Sequence, residues 1–161
     1  MKSLNAIFLT LVFAFSLSFT AFAQTAKPAE NLKYDAELAK KLGGSDNGMK
    51  SYVFVILKTG PKDGDFKGKE RDDIFAGHMA NIGRLADAGQ LAVAGPFGKN
   101  DKQYRGLYIF NVATVEEAAK IVETDPAVKA GVFVADMTPW YGSASLMATP
   151  EIHKKITKPK P

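Results

Sequence analysis

The chain has no cysteine, two histidines and a single tryptophan among 161 residues. Without cysteine there are no disulfides, no thiol nucleophile and no thiolate metal site, so a packed apolar core must hold the fold. The histidines, His78 and His153, stand 75 positions apart and make a poor imidazole metal site. There is no G-x-x-x-x-G-K-[ST], H-E-x-x-H or G-x-S-x-G, and "GPFGKN" (95–100) lacks the glycine spacing and helical context of a dinucleotide loop. Neither a metal nor an organic cofactor is expected.

A basic face is also missing. The formal charge is +4, but Lys2 opens the chain and Lys154, Lys155, Lys158 and Lys160 crowd its end; setting these five lysines aside leaves −1 for the rest. Binding to a nucleic-acid backbone needs a concentrated positive surface, so a nucleic-acid partner is not expected. One long apolar run is present, and it lies at the start. After Lys2, "AIFLTLVFAFSLSFTAFA" (6–23) ends in Ala21-Phe22-Ala23, the pattern of a secretory signal cleaved after Ala23. Gln24 follows instead of a lipid-accepting cysteine. The expectation is a periplasmic or secreted protein with no membrane attachment after cleavage.

What remains is enough for one domain. Residues 24–49 read as an extension with a short helix in "YDAELAKKLGG" (34–44), and 146–161 as a solvated basic tail. Between them, 50–145 reads as an α+β domain. "KSYVFVILK" (50–58) is a strand apolar on both alternations. "TGPKDGDFKGKE" (59–70) is a polar loop, a mobile lid or a rim. Phe75, Met79, Ile82, Leu85 and Ala86 repeat at helical spacing within 72–89. "LAVAGPF" (91–97) and "RGLYIFNV" (105–112) pair as an antiparallel hairpin. Thr114 with Glu117 forms a capping box for a helix over 115–124, Asp125-Pro126 starts a further turn, and "VFVADMTPW" (132–140) is the last strand.

The order β-α-β-β-α-β predicts a ferredoxin-like four-stranded antiparallel sheet with both helices on one face. The other face should be wet, yet the first and third strands have no polar side. A second copy packed sheet to sheet covers it most simply, giving a homodimer. The alternative is cover from the chain's own terminal segments.

Five side chains could carry chemistry on these apolar elements: His78, Asp125, Arg105, Asp136 and Trp140. Each has an ordinary explanation: a boundary histidine, an N-cap, a strand-end charge paired with a basic residue. Together, "HMANIGRLADAGQLAVAGPF", "RGLYIFNV" and "DPAVKAGVFVADMTPW" resemble the YCII-related (YciI-like) family, across about residues 50–145. That resemblance implies the dimeric α+β barrel shared with muconolactone isomerase, and a catalytic dyad of His78 and Asp125 close to Gly95 and Pro96. Family members often carry a basic residue where this chain has Phe75, and the ending "PWYGSASL" fits an exported variant. An imidazole held in one tautomer by a carboxylate can move a proton on or off a small organic acid or lactone. Isomerisation, elimination or dehydrohalogenation fits better than acyl transfer, because no nucleophile motif accompanies the pair. The ligand set is then Gly95, Pro96, Arg105, Asp136 and Trp140. Two other readings remain open: a non-catalytic periplasmic module that binds a small ligand, and a structural dimer with no ligand.

Overall fold

The computed structural model describes residues 33–159, so the expected leader and its cleavage site lie outside the described residues. The compact unit beginning at Asp35 contains every element below. Helix α1 (Ala36–Leu42) starts where Asp35 accepts the Leu38 amide and ends at Gly43, whose left-handed backbone (φ 69°) closes the last turn. Strand β1 (Met49–Thr59) is central, and the sheet order is β2-β3-β1-β4, with β2 (Leu91–Pro96), β3 (Tyr104–Phe110) and β4 (Phe133–Ser143). All three pairings are antiparallel. This is the ferredoxin-like α+β fold that the element order predicts.

Strand alternation divides β1 between two environments. Val53, Val55 and Leu57 are fully buried with Tyr108 and Phe110 of β3 and Leu85 of α2 (Gly68–Asp87). Ala118, Ile121 and Val122 of α3 (Val115–Val122) and Ala127 of α4 (Pro126–Lys129) complete this core. The Thr114–Glu117 capping box forms as its spacing predicts. On the other face, Tyr52, Phe54 and Ile56 lie across from Trp140, Thr138 and Asp136 of β4.

Three elements depart from the sequence reading. Helix α2 begins at Gly68, four residues before the expected start, because Gly68 adopts φ 53° and Lys69 pairs with Asp73 one turn on, at 2.6 Å. Of the two readings of the 59–70 loop, lid or rim, the contacts fit a pinned rim. Gly60 and Lys62 donate backbone bonds to Val132 and Gly131, and Arg71 grips both the backbone and the carboxylate of Asp63 at 2.7 Å. The expected tail is largely helical: a 3-10 turn (Ala144–Ala148) leads into α5 (Thr149–Ile156). Pro150 in its first turn, Glu151 near its start, Lys154 and Lys155 near its end, and the Glu151–Lys155 pair all favour a helix there.

The 3-10 turn also bears on the open face. Leu146 and Met147 pack against the cluster of Tyr52, Ala92 and Ile109, so the chain itself covers part of that face. Toward β4 the cover thins: Val134 is 43% and Trp140 39% exposed.

Candidate active site

The site is built where α2, β3 and the start of α4 converge on the helical side of the sheet. Asp125 is the N-cap of α4, and its Oδ1 accepts the Ala127 amide at 2.9 Å. An ordinary N-cap points its second oxygen at solvent. Here Asp125 is completely buried, and its Oδ2 accepts from His78 Nδ1 at 2.8 Å and from the Tyr108 hydroxyl at 2.8 Å. The tight approach of α2 to α4 depends on Gly77: a Cβ there would lie 3.0 Å from Pro126 Cγ. The residue before His78 must be small for the imidazole to reach the cap.

Burial pushes the Asp125 carboxyl up, but hydrogen bonds from His78 and Tyr108, the His78 charge and the Ala127 amide outweigh it and hold it below the usual carboxylate range. Burial and the adjacent Asp125 charge push the Tyr108 phenol far up, so it stays a protonated donor. An ionised carboxylate only accepts, so Nδ1 of the neutral imidazole carries the proton and Nε2 keeps a free lone pair. The ring sits among aromatics, with Phe133, Phe75 and Tyr108 centroids at 5.3, 6.1 and 6.2 Å.

His78 lines a cavity of about 510 Å³. Gly95, Pro96 and Arg105 line it too, with apolar walls from Phe75, Met79, Ile82, Phe97 and Phe133. Arg105 stacks 5.4 Å from the Phe133 ring and reaches Asp63 at 3.3 Å. Burial pushes the Asp63 carboxyl up, yet Arg71 and Arg105 overcome this and keep it below its ordinary value. Two guanidinium groups against one carboxylate leave an excess positive charge at the rim. Among the described residues, no carboxylate lines the cavity.

Asp136 and Trp140, expected beside the ligand, are on the opposite face of the sheet. Asp136 is paired with Lys58, and Trp140 packs on Tyr52 and Phe54 with centroids at 5.8 and 6.5 Å. Strand parity decides this: both are cross-strand partners of the outward-facing β1 residues. The sequence reading missed Tyr108. Its signal was the hydroxyl itself, since a tyrosine on the core face of a central strand needs a buried acceptor. Among the described residues there is no cluster of metal-ligating side chains, and no helix is long and apolar enough to cross a membrane.

The model of the YCII-related domain matches residues 52–140. The chain belongs to the YCII-related family. The matched segment runs from within β1 through most of β4 and thus contains the whole His78–Asp125–Tyr108 cluster of this YCII-related domain, while α1, the 3-10 turn and α5 lie outside it. No curated protein matches the chain. Among solved structures it is similar to 5-chloro-2-hydroxyhydroquinone dehydrochlorinase (TftG) from Burkholderia phenoliruptrix AC1100, in complex with 2,5-dihydroxybenzoquinone. The two are 27% identical over 55% of this chain and 92% of that one, with a TM-score of 0.39.

Proposed function

We propose that this YCII-related protein is an exported enzyme in which His78 transfers a proton to or from a small organic acid or lactone, of the isomerase or lyase type. One observation carries the reading: a buried imidazole is fixed through Nδ1 by an ionised carboxylate, and the same residue lines a cavity of small-molecule size. Neutral His78 accepts a substrate proton at Nε2, and the Asp125 carboxylate balances the imidazolium that forms. Returning the proton to another atom isomerises the substrate; losing a leaving group from the adjacent carbon eliminates. Tyr108 also lines the cavity, but in this scheme it is a positioning residue, since its hydroxyl is committed to Asp125.

The experiment is deuterium exchange. Small cyclic acids and lactones are incubated in heavy water with the wild type and His78→Ala, and loss of C–H signal is followed by NMR. Exchange that depends on His78 supports the reading. Binding without any exchange would make the protein a ligand-binding module instead.

Two further expectations belong to this reading. Protein recovered from the periplasmic fraction should have an intact mass that begins at Gln24; a mass retaining residues 1–23 rules out cleavage after Ala23. The second is a homodimer joined through the open sheet face at Phe54, Ile56 and Trp140, with the Val53 side excluded because it packs under the helices. Sedimentation should show a dimer that Phe54→Glu with Trp140→Glu dissociates, and a strictly monomeric wild type at micromolar concentration refutes it.

A further inference from the structure

The cavity holds a second imidazole that the dyad does not use. His153 lines it from α5, which lies beyond the end of the matched domain at residue 140. Its Nε2 is 3.4 Å from Thr157 Oγ1 of the same segment, and its Nδ1 has no protein partner among the described residues. Both histidines of the chain therefore border one cavity.

The wall that carries His153 is lightly attached. No residue of α5 is buried, and Ile152 and Ile156 are 54% and 76% exposed. Beyond its contacts with β2 and the 3-10 turn, its side-chain ties are ion pairs between exposed groups: Lys154 to Asp87 at the end of α2, 2.6 Å, and Glu151 to Lys41 of α1, 3.6 Å. Such pairs contribute little, and a short helix without a buried apolar stripe is marginal, so α5 is among the parts of the fold that open at low cost. The opposite rim behaves otherwise. Arg105 is braced on Asp63, and Asp63 is gripped by Arg71 in the pinned 59–70 turn.

We propose that α5 is the gate of the His78 cavity and that His153, at its cavity side, controls which molecules reach the His78 imidazole. The proposal rests on the His78 cavity described above as the reaction site, but its test requires no catalysis. A molecule entering past α5 meets the free His153 nitrogen first, so a polar or acidic head is received at the gate while the apolar body passes to Phe75, Met79 and Phe133. The sequence outside the family domain thereby sets access to chemistry inside it.

Diethyl pyrocarbonate, which ethoxycarbonylates an accessible imidazole nitrogen, reads the gate directly. The full-length secreted chain is treated, and modification at His78 is timed by peptide mass mapping. Lys154→Glu sets two acids against each other and should speed His78 modification by about twofold to fivefold, the scale of one exposed ion pair. The charge swap Asp87→Lys with Lys154→Glu should bring the rate back toward wild type, which separates gating from misfolding. His153→Ala should also speed the reaction, and His153→Trp should slow it. Equal His78 rates in all of these proteins would overturn the gate. A His78→Ala variant that still exchanged deuterium would overturn the proton-transfer reading and leave the gate standing.

Discussion

On the proposed reading, His78→Ala should lower the rate of substrate deuterium exchange by about 10²–10⁴-fold, the range lost with a general acid or base. The fold should persist at some cost in stability, because Asp125 loses its His78 donor but still accepts from Tyr108 and from the Ala127 amide. Far-ultraviolet circular dichroism of the variant should match the wild type. Asp125→Asn also slows exchange, since a neutral amide neither enforces the Nδ1–H tautomer nor balances the imidazolium. Tyr108→Phe loses least of the three, because Asp125 keeps its bonds to His78 and Ala127. A His78→Ala protein with wild-type exchange, or a Tyr108→Phe protein slower than Asp125→Asn, would contradict these assignments.

Asp125→Ala should destabilise the protein by about 3–5 kcal/mol, the sum of a lost cap and two buried donors left without an acceptor. Three donors lose their acceptor together: the Tyr108 hydroxyl, His78 Nδ1 and the Ala127 amide that begins α4. The cap alone accounts for about 1 kcal/mol, and each orphaned buried donor adds a similar or larger penalty. A loss of that size consumes a large part of a typical domain's stability, so urea midpoints should fall steeply. Asp125→Asn keeps the volume and a carbonyl for the cap, and should cost less. The sign with pH follows from the depressed Asp125 value. Its contribution is complete above the ordinary carboxylate value of 3.8 and is lost as pH falls through the lower folded value. Wild-type melting temperature should therefore drop in that acid window, and the Asp125→Asn protein should drop less. Parallel curves for the two proteins would show that the carboxylate does not contribute in this way.

Local chemistry made much of the architecture legible. The double apolar alternation of 50–58 marks an inner strand of the sheet, and that strand is β1, buried under the helices on one face and partly covered on the other. The Thr114–Glu117 spacing and the Asp125-Pro126 step act within one turn of backbone, so they form wherever the chain places them. The approach of His78 to Asp125 was legible in a weaker sense. Crossover handedness puts 72–89 and the turn at 125 on one side of the sheet, and Gly77 allows the last ångströms of contact.

Other features depend on which residues meet across the sheet. Asp136 stands in an otherwise apolar strand, and its cross-strand register puts it on the outer face near Lys58, where it is a solvated pair. The tail was read by composition as Pro- and Lys-rich and solvated. Its side chains are indeed exposed, but its helix and its path past β2 to Asp87 depend on ion pairs with residues more than sixty positions away.

By itself, the sequence determined the α+β class, the strand and helix order and the caps, while the pairing of His78 with Asp125 was implied by the family resemblance. The class, the order and the caps depend on periodicities and on interactions a few residues long, which composition and spacing carry directly. Only the tertiary structure decided that Asp125 is wholly buried, that Tyr108 is its third partner, that Asp136 and Trp140 face away, and that His153 shares the cavity with His78. Those outcomes depend on strand parity, register and the packing of distant segments, where a shift of one residue turns a side chain to the other face of the sheet.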